Sequence, residues 1–596
     1  VFAVEAMSAS IRARQLDVNF LMVLAAVGAI AVGRAGDAAA LLFLFSLSGT
    51  LEAMAMARTQ SAIAGLVRLR PAEATRVTER GLETVRVEAL KVGDVVEIAP
   101  FNAIPMDGLV VLGESSIDQS AMTGEAVAVA AQPGTKVIGG TQNLDGLLRV
   151  SVSSEVGDST LDKIVSLVQT AQDNKASGER VSQWFGQRYT FVVVGAFALS
   201  WVLRSLAHEP IHEAFYASLT LLVGMSPCAL VISTPATTLS ALAWAARQGL
   251  LIRGGEFIEL AAEVEIVALD KTGTLTTGRP TLKAMVHVPY LPEAPPIRWD
   301  QGEPMSTELL SVLGLAAAAE QYSSHPLGQA VLSAASDLGI NVPAGTEAKT
   351  TPGLGISVKV GEQEVWVGRH ELLSRADRMV PRSALGAVRE FEAQGDTFAL
   401  MSSALGTTVL AFGDRVRPSA RTVLGQLRQL GIREIAMVTG DHGETARTVA
   451  AGLGIDAVYA GLMPDEKTAV IEELSNRGRV LMVGDGVNDA PSLARASVGV
   501  AMGGLGSEIA LNAADVVLMT DRLDLIPQLI RLGRKTQLTV RTNLIFAAGV
   551  ILLLTLGSLV ARLPLPLAVV GHEGSTVLVI LNGLRMLRGP GAMPTG

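Results

Sequence analysis

The chain has 596 residues, too many for one compact core, so several domains are expected. Hydrophobic residues make up 49% and charged residues only 18%, with a mean hydropathy of +0.40; this excludes a wholly soluble enzyme and puts part of the chain in lipid. A net charge of −9 argues against a nucleic-acid partner, and the lone cysteine, Cys228, excludes a disulfide framework or a Cys-x-x-Cys metal module.

From the N-terminus, Val1 to Ala9 carries no signal peptide and reads as the tail of a longer segment. Six apolar stretches approach the roughly 20 residues that a helix needs to cross hydrocarbon, starting near Val18, Ala38, Tyr189, Ala214, Asn543 and Leu565. The first, about Val18 to Gly33, is short and weakened by Gly28 and Gly33. An even number of spans returns the chain to its starting side. Arg12, Arg14, Arg180, Arg188, Arg247, Arg253, Lys535, Arg541, Arg585 and Arg588 crowd that side, against Arg34, Arg204 and Arg562 on the other. The positive-inside rule then makes the large intervening segments cytoplasmic; a multi-pass protein of the plasma (inner) membrane is expected. Buried core helices of a soluble protein would not come as six spans in two clusters.

The first polar block, about Ser61 to Arg180, reads as short strands, among them Val85–Val87, Val95–Ile98 and Leu148–Val152, and contains Thr123-Gly124-Glu125. Glu52 stands in the second span near the cytoplasmic side. In the fourth span come Ser226, Pro227 and Cys228. A proline there breaks the backbone ladder and kinks the helix, and a thiol beside the break can bind metal once deprotonated; in an arbitrary membrane protein it would be an inert buried cysteine.

The second polar block, about Arg253 to Arg534, alternates strands with helical patterns as βαβ units do, with a Pro-rich interruption from Pro289 to Pro304. The apolar run Val264 to Leu269 ends in Asp270, followed by Lys271, Thr272, Gly273, Thr274, Leu275 and Thr276. A carboxylate at the C-terminal end of a buried parallel strand sits where such folds place reacting groups, and aspartate is a phosphoryl acceptor that forms an acyl phosphate. Gly273 permits the tight turn that aims backbone N–H groups at phosphate oxygens. Further on, the run Val480 to Val483 leads to Asp485, a hard oxygen ligand suited to Mg²⁺ beside Asp270. The sixth span holds His572, Glu573, Gly574, Ser575 and Thr576; ionisable groups in an apolar segment are costly and usually functional, although Pro564 and Pro566 leave a place at the water interface open.

Asp270 to Thr276 reads DKTGTLT and resembles the signature of P-type ATPases. Its companions occur in the order expected of that family: Thr123-Gly124-Glu125, Thr439-Gly440-Asp441 and the run Gly484 to Pro491. The resemblance covers essentially the whole chain. It implies a multidomain membrane protein with a helical transmembrane bundle, a β-rich actuator domain, a haloacid-dehalogenase-like α/β phosphorylation domain and an inserted α+β nucleotide-binding domain. The expected bounds are 1–60 and 181–252 for spans one to four, 61–180 for the actuator, 253–279 and 413–534 for the phosphorylation domain, 280–412 for the insert and 535–588 for the last spans. Residues Asp414 to Pro418 are expected to be the hinge out of the insert.

By the same resemblance Asp270 is phosphorylated, with Lys271 and Thr272 beside it. Thr439 and Lys467 hold phosphate, Gly440 and Asp441 belong to the catalytic motif that Thr439 opens, and Asn488 and Asp489 support an Mg²⁺ held by Asp270, Thr272 and Asp485. Glu125, in its Thr123-Gly124 turn, places water against the acyl phosphate. Glu320, the Ser323-Ser324-His325-Pro326 element, Gly353 and Gly355 match the adenine-holding elements of the heavy-metal branch, with Ser324 at a position that is often acidic. Ser226-Pro227-Cys228 with His572-Glu573-Gly574-Ser575-Thr576 is similar to the subgroup exporting cobalt, zinc and cadmium, so Ser226, Cys228, His572, Glu573, Thr576 and Glu52 are candidate contacts of the transported ion. Gly574 is expected to let the fourth helix approach. Alone, several of these are bland: Lys467 is a surface lysine opening a helix, His-Pro a helix start, Gly-x-Gly a strand turn, and Glu52 equally a helix-end glutamate in water. One thiolate, one imidazole and one carboxylate suit a divalent borderline ion better than copper(I). A soluble phosphatase with the same aspartate logic, a copper(I) pump and a metal sensor without turnover are the competing readings. ATP, Mg²⁺ and a divalent transition metal are the implied small molecules, and a monomer in a lipid bilayer is expected.

Overall fold

The computed structural model describes residues 18–67, 71–79, 81–120, 128–163, 166, 177–291, 294–323, 325–351, 354–394, 396–441, 443–485, 489–503 and 512–591. The chain forms two units, Val1–Val264 with Gly503–Gly596, and Glu265–Met502.

Unit one begins with helices α1 (Val18–Ala31) and α2 (Ala35–Val67). A β region follows: β1 (Glu73–Thr78), β2 (Gly81–Arg86), β3 (Val95–Ile98), β4 (Gly108–Leu112), β5 (Ser115–Asp118), β6 (Val129–Ala131), β7 (Lys136–Val137), β8 (Gln142–Asn143) and β9 (Leu148–Val152). They form a sheet in the order β2-β1-β3-β9-β4-β7 and a smaller one in the order β6-β5-β8. Period-two alternation explains the pairing of β3 with β9: Val96, Ile98, Leu148 and Val150 point into the core. Glu97 and Arg149 lie opposite each other on the other face and pair at 2.9 Å. Two predicted strands coincide with β3 and β9. The third ends earlier, because Val87 opens a one-turn 3-10 helix, Val87–Ala89. The chain then forms α3 (Ser177–Leu206), α4 (Ile211–Gly224), α5 (Cys228–Arg247), the short strand β10 (Leu250–Ile252) and α6 (Gly255–Ala262).

Unit two starts with β11 (Ile266–Leu269), β12 (Thr276–Pro289) and β13 (Ile297–Asp300), the last inside the Pro-rich stretch. Next come α7 (Thr307–Glu320), α8 (Pro326–Asp337), β14 (Thr346–Thr351), β15 (Gly355–Val360), β16 (Gln363–Gly368), α9 (His370–Arg375), α10 (Arg382–Ala393), β17 (Thr397–Ser403) and β18 (Gly406–Val416). These strands make an antiparallel sheet, β13-β12-β18-β17-β16-β15-β14. Alternate residues of β18 serve opposite cores: Leu410 and Phe412 pack under α7 and α8, Val409 and Ala411 under α9 and α10. β12 and β18 stay paired from Thr276↔Val416 to Pro289↔Gly406, so the backbone does not break at the expected edges of the insert, 280 and 412.

The unit closes with α11 (Ala420–Gln429), β19 (Glu434–Val438), α12 (Gly443–Leu453), β20 (Ala457–Tyr459), α13 (Pro464–Ser475), β21 (Val480–Gly484), α14 (Ala490–Arg495) and β22 (Val498–Ala501). Here the strands are parallel in the order β22-β21-β11-β19-β20, and β11 and β21 are buried along their whole length, as a parallel sheet between helices requires.

Back in unit one, β23 (Val516–Leu518) pairs with β10, and α15 (Leu525–Val560) and α16 (Leu565–Leu584) complete the apolar helices. Among the described residues four helical stretches are long and apolar enough to cross a membrane: Gly178–Leu206, Ile211–Arg247, Leu525–Val560 and Leu565–Arg588. The first two expected spans are shorter apolar helices, Phe20–Ala31 and Ala35–Leu51. The expected spans also misjudge where helices end. α2 continues to Val67 inside the expected β block, and α15 begins well before Asn543, because polar residues outside lipid extend a helix whose hydrogen bonds are already nucleated.

Candidate active site and ion path

Three neighbouring parallel strands deliver the polar groups of the catalytic edge. β11 is in register with β19 and β21, Leu269 opposite both Met437 and Val483, so Asp270, Thr439 and Asp485 leave adjacent strand ends. Asp270 N–H still donates to Val483 O at 2.8 Å, and Thr439 N–H to Tyr459 O at 2.9 Å. Lys467, on the first turn of α13, is buried rather than a surface lysine: its Nζ donates to Asp270 Oδ1 at 2.8 Å and to Asp489 Oδ1 at 2.6 Å. Lys271 forms an ion pair with Asp441, and Thr272 Oγ1 donates to Asp441 Oδ2 at 3.2 Å. Asp441 N–H in turn donates to Thr439 Oγ1 at 3.1 Å.

Burial pushes the Asp270 carboxyl up to about 7, the charge of Asp489 adds to this, and Lys467 opposes it. Burial likewise raises Asp489. Although burial works against the Lys467 ammonium, Asp270 and Asp489 hold it above its ordinary value. Two carboxylates, Asp270 and Asp489, share the single ammonium of Lys467, so negative groups outnumber the positive one there, and the site's donors are oxygen.

Glycine is required at two points of this edge. Gly273 has φ 74, and a Cβ on Gly484 would lie 2.4 Å from Asp489 Oδ2. The expected hinge also contributes to the site, which sequence reasoning missed. Arg417 donates to the carbonyls of Gly273 and Thr274, both at 2.9 Å. Asp414 accepts from Thr276 Oγ1 and, at 3.2 Å, from Gly278 N–H. The only sequence signal was the charged string Asp414, Arg415, Arg417 where the long strand returns.

At the insert, His325 is the N-cap of α8, its Nδ1 accepting from Leu327 N–H at 3.3 Å, so the helix-start reading holds as geometry. Glu320 ends α7, buried, its carboxyl raised by burial. A Cβ on Gly328 would come within 2.4 Å of its Oε2. Gly355 opposes Gly368 across β15 and β16, where a Cβ on either would meet backbone. The side chain of Glu52, and residues Thr123, Gly124, Glu125, Ser324, Gly353 and Asn488, lie outside the described residues.

In the membrane bundle, α4 stops at Gly224 and α5 restarts at Cys228, with Met225, Ser226 and Pro227 between. The break places the thiol at a helix start, where Ser226 Oγ lies 3.6 Å from Cys228 Sγ. His572, buried on α16, brings Nε2 to 2.9 Å from the same sulfur. Glu573 Oε1 is 4.0 Å from that Nε2. Among the described residues no three His, Cys, Asp or Glu side chains form a group able to hold a metal ion, so the expected thiol–imidazole–carboxylate trio is not preassembled. The hydroxyls of Ser575 and Thr576 donate to His572 O at 2.7 and 3.2 Å, so Thr576 serves its own helix. The expected role of Gly574 is also corrected: nothing lies within 4 Å of a Cβ there. α16 meets α5 at Gly583 instead, where a Cβ would be 3.0 Å from Thr237 Oγ1.

Residues 264–497 match the haloacid dehalogenase-like hydrolase family and residues 68–169 the P-type ATPase actuator domain. The chain is 37% identical over 98% of its length to a probable cobalt/nickel-exporting P-type ATPase of Mycolicibacterium smegmatis, covering 88% of it. It is 35% identical over 98% of its length to the zinc-transporting ATPase of Bacillus subtilis, covering 89% of it. It is 36% identical over 96% of its length to the zinc/cadmium/lead-transporting P-type ATPase of Escherichia coli, covering 75% of it. The crystal structure of a zinc-transporting PIB-type ATPase in the E2.Pi state superimposes with a TM-score of 0.63 at 34% identity, over 98% of this chain and 93% of that one.

Proposed function

The chain belongs to the P-type ATPases, in their heavy-metal-transporting branch, and from that premise we propose that it is a monomeric pump driving a divalent ion of the cobalt, zinc and cadmium class out of the cytoplasm at the expense of ATP. Asp270 is the phosphoryl acceptor: its carboxylate oxygen bonds to the terminal phosphorus of ATP as the bond to ADP breaks, giving an acyl phosphate. Lys467 orients the attacking carboxylate and Asp489 fixes the lysine. Arg417 and Asp414 keep the loop after Asp270 in shape. Glu125 directs water in the second half of the cycle. Glu320, His325, Gly353 and Gly355 hold the nucleotide.

The surplus negative charge and all-oxygen donors at the catalytic edge fit Mg²⁺, which Asp270, Thr272 and Asp485 would hold with Asn488 in support. Bound there, Mg²⁺ supplies charge neutralisation for the phosphoryl oxygens.

The observation that carries the choice of cargo is the 2.9 Å approach of His572 Nε2 to Cys228 Sγ across two helices. One sulfur and one imidazole make a borderline donor pair, with Glu573 nearby to balance charge; copper(I) favours several sulfurs, and the chain has one cysteine. Purified protein in lipid vesicles, titrated with cobalt, zinc, cadmium, nickel and copper(I), should show ATP hydrolysis stimulated by the divalent ions. Stimulation by copper(I) alone refutes the cargo assignment, and stimulation by none makes the protein a binder without turnover.

A further inference from the structure

At the end of the bundle opposite Arg247 and Arg253, three connections between helices border an open cavity of about 360 Å³, lined among others by Arg34, Arg204, Glu209, His212, Glu213 and Arg562. Arg34 follows α1, Glu209 joins α3 to α4, and Arg562 joins α15 to α16. Side chains stitch these turns together. Arg34 lies over the Tyr216 ring at 5.0 Å, Tyr216 OH donates to Asp37 Oδ2 at 2.6 Å, and Leu565 N–H donates to Tyr216 OH at 3.4 Å. Glu209 is held from two sides, by Arg204 at 3.4 Å and by Arg562 at 3.1 Å. Arg204 also donates to Ser558 O at 3.3 Å. Two of these three turns carry a non-glycine residue in the left-handed region, His208 at φ 66 and Arg562 at φ 49.

Tyr216, on the cavity wall, sits on α4 about 12 Å along the helix from the break that precedes Cys228. The cavity therefore lies outward of the thiol on the same broken span. Its carboxylates and imidazole are oxygen and nitrogen donors that a divalent ion would take. The carboxylate of Glu209 is already engaged by two guanidiniums, which a cation has to displace. We infer that Arg204 and Arg562 are built-in competitors for Glu209 that keep this outer cavity from retaining the transported ion, so that release outward is not followed by recapture. Arg562 is mostly exposed and Arg204 mostly covered, so the pair combines a rim charge with a wall charge.

This inference rests on the export reading above, and the experiment separates the two. Full-length protein is reconstituted with its cytoplasmic side outward, with zinc or cobalt loaded in the lumen at graded concentrations, and ATP hydrolysis is started from outside. Wild type is compared with Arg562→Gln, Arg204→Gln, the double variant, and the double variant carrying Glu209→Gln. The lumenal concentration that half-inhibits should fall about tenfold in the double variant, less in each single one, and return toward wild type when Glu209→Gln is added. Arg562 is 72% exposed, so its replacement leaves folding intact and keeps the test open if Arg204→Gln does not assemble. Identical lumenal inhibition in wild type and Arg562→Gln overturns the inference while leaving export standing. Absence of metal-dependent hydrolysis in wild type overturns the export reading and the inference with it.

Discussion

At the catalytic edge of unit two, Asp270, Thr439 and Asp485 come from the ends of strands locked in register by backbone hydrogen bonds, and buried Lys467 joins two of the carboxylates there. In the membrane bundle, Cys228 and His572 are 344 residues apart and meet only because one helix breaks and another packs beside it. The first site is charged and set by a ladder, so its geometry is stiff and its energetics are electrostatic. The second is a sulfur–imidazole pair set by side-chain packing between helices, so small changes in helix contact reach that pair. Chemistry should be sensitive to charge at Asp270, and cargo affinity to volume along α5 and α16.

The sharpest test of that contrast is Asp270→Asn. It should abolish the hydroxylamine-sensitive phosphoenzyme formed from labelled ATP, a loss of at least about 10³-fold, because an amide is no nucleophile. Label persisting at the same site would break the assignment. Cys228→Ala should lower metal-stimulated hydrolysis on the order of 100-fold while phosphorylation by inorganic phosphate, which runs without the transported ion, survives. Loss of both would mean the two regions are not separable.

Intermediate effects are expected from the nucleotide module and from burial. His325→Asn keeps an N-cap acceptor for α8, so stability should hold, while KM for ATP rises about fivefold. An unchanged KM would reduce His325 to a cap. Asp270 is held at about 7, above its ordinary 3.8, so the folded state favours the protonated carboxyl. The stability that protonation contributes is complete below pH 3.8 and is lost as pH rises through 7. Asp270→Asn, uncharged throughout, should therefore raise the Mg²⁺-free thermal midpoint by about 3 °C at pH 8 and by less at pH 5. A larger gain at pH 5 would reverse the argument. The smallest expected effects compare two glycines of α16. Gly583→Ala presses on Thr237 and should cost about 1–3 kcal/mol in unfolding measurements, whereas Gly574→Ala meets open space and should leave the half-activating metal concentration within about twofold of wild type.

Much of the catalytic edge was legible along the chain because strand, turn and reacting residue are contiguous there: Val264 to Thr276 contains the strand, its terminal aspartate and the glycine its turn requires. The β3 and β9 strands were legible for a similar reason, their period-two alternation being local. Pro227 announced the broken span, since its missing N–H removes a helical hydrogen bond, although Pro235 is carried inside the continuous α5. The tertiary structure alone decided the rest. It buried Lys467 between two carboxylates, gave Asp414 and Arg417 of the expected hinge contacts to the loop after Asp270, and moved the tight α5–α16 contact from Gly574 to Gly583. It also brought His572 to Cys228, with Glu573 4.0 Å from the same imidazole nitrogen, and gathered Arg204, Glu209 and Arg562 around one outer cavity. Residue type and spacing specify what a backbone can do over a turn or a strand, but the rotation of one helix against another, and which side chains then meet, are set by packing summed over the whole bundle.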